Sequence, residues 1–223
     1  MTETPEGTFK RVLLIRHGQT DWNAQGRWQG IMQVPLNEIG IQQAHALAEH
    51  LRERPITAVY TSDLIRANET ARILGESLSL KPNEDPRLRE LNLGDFQGLT
   101  YPEISAKFPK HVEQMNSDYM GFTPPNGESR LAMQQRAYEA FNDILAREPG
   151  PEIALVSHGG TIRVLLLKLV GDLETVRRTS VQNTSITIIE TDGLNHRLLE
   201  VAAVSHLAVE HKPKLTKNQR DDV

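Results

Sequence analysis

Apolar positions run along this chain in two rhythms. Val12-Leu13-Leu14-Ile15, within Phe9–Ile15, and Ile153–Ser157 are uninterrupted apolar runs, and "ITAVYTSD" from Ile56 to Asp63 is a third short stretch rich in β-branched residues. A strand apolar on both faces is covered on both faces, as in parallel sheets. Elsewhere the spacing is helical. Leu36–Arg52 carries Ile41, Ala44, Leu47, Ala48 and Leu51 behind Asn37 as N-cap, and a helix from Leu64 to Ser77 follows Ser62 or Asp63 as cap. Arg130–Arg147 repeats the pattern with Met133, Ala137, Ala140, Phe141 and Ile144, and Thr161–Val170 is closed by Gly171. "LSLKPN" reads as a further short strand, and "TSITIIE" and "RLLEVAAVS" as two closing strands joined through Asp192-Gly193.

Strands alternating with helices predict crossover units and a sheet covered on both sides. The expected fold is α/β: one domain over residues 1–223, a three-layer α/β/α sandwich with a mostly parallel central sheet. Pro102–Ser129 breaks both rhythms. Its prolines, glycines and aromatic residues Phe108, Tyr119 and Phe122, with Tyr101 just before it, suggest an insertion over one end of the sheet, a partial lid. Residues 1–8 and 211–223 read as flexible tails.

At 223 residues the chain can bury one substantial core. Its apolar runs are too short to span a bilayer, and "MTETPEGTFK" has no basic start followed by a long apolar stretch, so a cytoplasmic protein without membrane contact is expected. The absence of cysteine removes disulfides, thiolate nucleophiles and Cys-based metal sites. A net charge of -4 makes nucleic acid an unfavourable partner, so an anionic substrate must be met by a local arginine cluster. The sequence leaves a homodimer open.

"RVLLIRHGQT" and "PEIALVSHGGT" each place a histidine, His17 and His158, behind an apolar strand and before Gly-x-Thr. Ligands of open α/β sheets bind beyond the carboxyl ends of the strands, and a glycine there, Gly18 or Gly159, lets a ligand approach main-chain N–H groups. Arg16 precedes the first histidine, and Arg66 lies in the first turn of the helix after "VYTSD". Guanidinium forks and a helix N-terminus describe a phosphate pocket, to which Asn23 and Gln29 can add neutral donors. No Walker loop, His-Glu-x-x-His or Asp-x-Asp is present. Phosphoryl transfer to a neutral imidazole, with no metal and no cofactor, is the chemistry these parts allow.

"LIRHGQTDWN", "YTSDLIRANETA", "LRELNLGDFQG" and "LVSHGGTIR", in this order, resemble the four signature segments of the histidine phosphatase superfamily, which includes cofactor-dependent phosphoglycerate mutases and many small phosphatases. The resemblance implies that His17 becomes phosphohistidine, that Arg16, Arg66 and His158 hold the phosphoryl group, and that Glu90 protonates the leaving oxygen. It also implies that Asn23 and Gln29 contact phosphate. Thr20 reads as support for its loop. Relatives of this kind act on sugar phosphates, phosphoglycerates, phosphoserine or α-ribazole phosphate, so the expected partner is a small phosphorylated metabolite. Trp22, Trp28 and the insertion are the expected selectors.

Three activities compete. A metal-independent phosphomonoesterase is favoured over a mutase because the mutases' tyrosine and lysine after the acidic segment are replaced by Leu93 and Tyr101, and their tryptophan after Gly30 by Ile31. A non-catalytic phosphate-binding protein is disfavoured by the complete set Arg16, His17, Arg66, Glu90 and His158.

Overall fold

A computed structural model of the chain describes residues 9–171 and 180–207; the expected tails at 1–8 and 211–223 lie outside the described residues. Strands β1 (Lys10–Arg16), β2 (Ile56–Thr61), β3 (Asn83–Glu84), β4 (Glu152–Ser157), β5 (Ile186–Thr191) and β6 (His196–Ala203) form one sheet in the order β3-β2-β4-β1-β5-β6. Pairings β1–β4, β2–β4 and β2–β3 are parallel, and β5 runs antiparallel to both β1 and β6. The sheet is therefore mostly parallel, as the continuous apolar runs predict.

Alternation along the strands sends side chains into two cores. Val12 and Leu14 of β1, with Ile153 and Leu155 of β4, pack under helices α6 (Arg130–Arg147) and α7 (Gly159–Val170). Leu13, Ile15, Ala154 and Val156 pack on the other face under α2 (Glu38–Leu51) and α3 (Ile65–Leu78). Three layers result. Because β4 inserts between β1 and β2, the chain reverses its direction of travel across the sheet there, and a crevice opens at the carboxyl ends of these strands.

Several local expectations need correction. Ile41 is exposed; the buried face of α2 uses Gly40 and Gln43, because the Gln43 carboxamide accepts from the Gln19 N–H at 2.9 Å. Neither Ser62 nor Asp63 caps α3. Leu64 is its N-cap without a side-chain bond, and Gln33, from a distant loop, accepts from the Ile65 N–H at 2.8 Å. Most of "LSLKPN" is not strand: Leu78 ends α3, Ser79 takes a left-handed cap conformation, and only Asn83–Glu84 pairs. Helix α7 begins two residues earlier than the spacing suggests, at Gly159.

A one-turn helix, α1 (Asp21–Ala24), follows β1, and two short helices, α4 (Tyr101–Lys107) and α5 (Pro109–Ser117), build a third core. Ile104, Val112, Met115 and Phe122 close on Phe96, Leu91, Leu93 and Trp28. Helix α4 starts on a Thr100 capping box with Glu103.

Candidate active site

Parallel pairing of β1 with β4 aligns Arg16 with Ser157, and the His17 N–H extends the ladder to the Ser157 carbonyl at 3.0 Å. The residues that follow, His17 and His158, therefore leave neighbouring strands side by side, with ring centroids 5.2 Å apart and planes at 57°. Gly18 is required there, since a Cβ would stand 2.5 Å from the Gly40 carbonyl.

His17 is 2% exposed. Its Nδ1 lies 2.6 Å from the Gly18 carbonyl, which can only accept, so Nδ1 carries the proton. The lone pair then sits on Nε2, where it accepts from Arg66 Nε at 3.2 Å. Arg66 is 1% exposed, and its other two nitrogens are anchored on the Met32 and Gly30 carbonyls at 2.9 and 2.8 Å. Burial first, and then the Arg66 and Arg16 charges, hold the His17 imidazole well below its ordinary pKa, so the ring is neutral. Burial also draws Arg66 down to about 10, against the opposing pull of Glu90, which leaves it charged at neutral pH.

His158 is fully buried behind His17 rather than in the wall of the cleft. Ser62 Oγ, at the end of β2, accepts from the Leu64 N–H and lies 2.9 Å from His158 Nε2. Either group can carry the proton of that contact, since the hydroxyl keeps a second lone pair, and the other ring nitrogen, Nδ1, has no hydrogen-bond partner. Burial and then Arg66 hold this ring neutral as well.

Glu90 reaches the same place from the irregular segment after β3. Its Oε1 accepts from the Leu91 N–H at 2.9 Å and its Oε2 from the Gly160 N–H at 3.0 Å, in the first turn of α7. A Cβ on Gly160 would stand 2.5 Å from Oε1, so glycine admits the carboxyl group. Thr20 caps α1 and donates to Gln29 Oε1 at 3.0 Å, while Asn183 Nδ2 donates to Asn23 Oδ1 at 3.2 Å.

These groups surround an open cleft of about 470 Å³, lined among others by Arg16, His17, Asn23, Gln29, Arg66, Glu90 and Gly159. Every residue predicted from sequence to act in catalysis or to bind phosphate, except His158, reaches its wall. Arg27, Trp28, Leu93 and Arg163 complete it, and no residue of 102–129 does; that segment instead packs behind Trp28 and Leu93. Trp22 is likewise absent from the wall. Arg163 was detectable in principle: four residues after Gly159 on α7, it lies on the same helix face. Among the described residues, no three His, Cys, Asp or Glu side chains gather as metal ligands.

The neutral histidines have a consequence for stability. Each takes up a proton near pH 6.5 when unfolded but resists it when folded, so the unfolded state binds more protons below that pH. His206, lowered to about 4 by burial and by stacked His50, adds to the same trend. The urea midpoint is expected to fall as pH drops from about 7.5 to about 5, above the range where the salt-bridged Asp63 and Asp85 titrate. A midpoint constant over that interval would contradict the assignment.

Fold and cleft together define a mixed α/β protein with an arginine-rich cleft at the carboxyl ends of its parallel strands. The family model of the histidine phosphatase superfamily (branch 1) matches residues 12–204, and the chain belongs to that superfamily as a histidine phosphatase enzyme. It is 36% identical to the "Probable phosphoglycerate mutase GpmB" of Yersinia pestis (strain Pestoides F) over 181 residues, 81% of this chain and 84% of that protein. Among solved structures, mycobacterial glucosyl-3-phosphoglycerate phosphatase in complex with VO3 superposes with a TM-score of 0.81 at 35% identity, covering 87% of this chain and all of that one. Phosphoserine phosphatase from Entamoeba histolytica, in complex with 3-phosphoglyceric acid, gives 0.79 at 25% identity over 89% of this chain and all of its own.

Proposed function

We propose that the protein is a metal-independent phosphomonoesterase that hydrolyses small phosphorylated metabolites through a phosphohistidine intermediate. The observation that carries this reading is the His17 tautomer: Nδ1–H is committed to the Gly18 carbonyl and the Nε2 lone pair meets a buried guanidinium in the cleft. Nε2 attacks phosphorus and the phosphorus–oxygen ester bond breaks. The Gly18 carbonyl stabilises the positive charge that develops on the ring. Arg16 and Arg66 take the equatorial oxygens. His158, its ring centroid 5.2 Å from that of His17, backs the attacking ring from inside the fold rather than lining the cleft. Asn23 and Gln29, with their carboxamide oxygens held by neighbours, offer their amide nitrogens.

Glu90 delivers a proton to the departing alkoxide, an effect worth about 10²–10⁴-fold. Its carboxylate then takes a proton from water, whose oxygen attacks phosphorus as the phosphorus–nitrogen bond breaks and the electron pair returns to Nε2.

Hydrolysis is favoured over mutase chemistry by the residues at the mutase-specific positions. Leu93 is buried in the third core and presents a hydrocarbon to the cleft, and Tyr101 packs at a tilt against Trp28, ring centroids 6.2 Å apart, outside it. Neither offers the hydroxyl or ammonium group that would grip a reorienting phosphoglycerate. The phosphatase names of the structural neighbours support this reading; the mutase name of the curated relatives favours the alternative.

The test is incubation with a labelled phosphomonoester in excess chelator, followed by alkaline denaturation. Label retained on the protein through alkali and lost in acid, with phosphate release and without interconversion of 2- and 3-phosphoglycerate, is the expected result. Phosphate release that chelator abolishes would overturn metal independence, and efficient interconversion would establish the mutase.

A further inference from the structure

Glu90 lies in a stretch with no regular structure to satisfy its main chain. It follows the 3₁₀ turn Pro86–Leu88 and precedes another, Gly94–Phe96, so the carbonyls of Arg87, Arg89 and Glu90 need donors from elsewhere. One side chain reaches all three, and Thr161 Oγ1 adds a second donor to the Arg89 carbonyl at 2.9 Å. Arg136, in the second turn of α6, donates from Nη1 to the Arg87 and Arg89 carbonyls at 2.8 and 2.7 Å, and from Nη2 to the Glu90 carbonyl at 2.9 Å. Its remaining donors go to Glu128, from Nη2 to Oε1 at 2.6 Å and from Nε to Oε2 at 3.2 Å. All five donors of the fork are used.

The decisive bond is the one to the Glu90 carbonyl. That oxygen and the Leu91 N–H belong to one planar peptide group, and the Leu91 N–H is a donor holding Glu90 Oε1. A rotation of this peptide plane would swing the N–H away from the carboxyl group. A cation on the carbonyl oxygen prevents the rotation and polarises the amide, which strengthens its N–H as a donor. Glu128 braces the next peptides: its Oε1 accepts from the Asn92 N–H and its N–H donates to the Asn92 carbonyl, both at 2.9 Å. Arg136 is not part of the cleft wall; besides this relay it reaches the site only as a minor charge acting on His158.

We propose that Arg136 is a positioning residue for the proton-donating carboxyl group: it fixes the Glu90–Leu91 peptide plane, and with Glu128 it anchors the acidic segment to the end of the 102–129 insertion. The proposal rests on the reading of Glu90 as proton donor.

Leaving-group dependence separates such a role from ordinary support of the fold. Unactivated esters need the proton; good leaving groups do not. The experiment measures kcat/KM, which reports phosphorylation of the enzyme, for phenyl, 4-nitrophenyl and 2,4-dinitrophenyl phosphate with the wild type, Arg136→Met, Arg136→Lys, Glu128→Gln and Glu90→Gln. Arg136→Met is expected to lose about 10–100-fold on phenyl phosphate and less than about threefold on the dinitrophenyl ester. Glu90→Gln should show the same slope more steeply, and Arg136→Lys and Glu128→Gln smaller versions of it. Should Arg136→Met fail to fold, judged by its near-ultraviolet dichroism, the Lys and Gln variants decide. A uniform loss across the three esters, or none, in the variants of Arg136 and Glu128 beside a steep Glu90→Gln would overturn the positioning role. A uniform loss in Glu90→Gln itself would overturn the acid reading, and the proposal with it.

Discussion

His17→Ala is expected to lower kcat/KM by about 10⁴-fold or more on every phosphomonoester, because it removes the atom that forms the covalent intermediate rather than a group that assists it. Binding of inorganic phosphate should survive, since Arg16, Arg66, Asn23 and Gln29 keep their places around the cleft. The ring fills a buried slot beside His158, so the variant should also be somewhat less stable. Steady-state turnover with alkaline trapping checks both halves of the claim. Wild-type turnover in His17→Ala would end the phosphohistidine mechanism.

Arg66→Met should cost about 10³-fold in kcat/KM, the scale seen when a fixed donor to developing charge is removed. Its effect differs in kind from that of His17. The guanidinium is also a structural anchor: its loss strands the buried Gly30 carbonyl, a cost of about 1–3 kcal/mol, and releases the part-buried Met32 carbonyl. Weaker phosphate binding and a lower melting temperature should therefore accompany the kinetic loss. Arg66→Lys keeps the charge but cannot reach two carbonyls and the site at once, so it should recover little. Retention of kcat/KM within about tenfold in Arg66→Met would show that the other cationic groups suffice.

The sheet was readable because its strands are buried on both faces, which erases alternation and leaves runs such as Val12–Ile15. The pairing of His17 with His158 was readable because identical surroundings follow two such runs. Features fixed by distant parts of the chain were not. The cap of α3 comes from Gln33, more than thirty residues earlier, and no local signal points to it. Gln43 looks like a solvated position on α2 until Gln19 is folded over it. Arg136 resembles any charged residue on an amphipathic helix; only the irregular backbone of residues 87–90 gives it a purpose. Aromatics of the 102–129 segment suggested contact with substrate, but Phe108 and Phe122 pack on Phe96 as core. Sequence pattern gives the same signal for a buried ring and a binding ring.

The position of β1 also bears on how the protein comes to be active. Its sheet neighbours are β4 and β5, which the ribosome makes only after β2, β3 and the helices α1 to α6. Until then the Val12–Ile15 run lacks its native partners, and the nascent chain carries an unpaired, strongly apolar segment. Contacts of such long range close slowly, since the intervening chain must first be ordered. His17 and His158 can meet only when β1 and β4 dock. Catalytic competence is therefore acquired in one late step of folding, and chains cut short before β4 should hold every residue of the first histidine segment yet show no trace of activity.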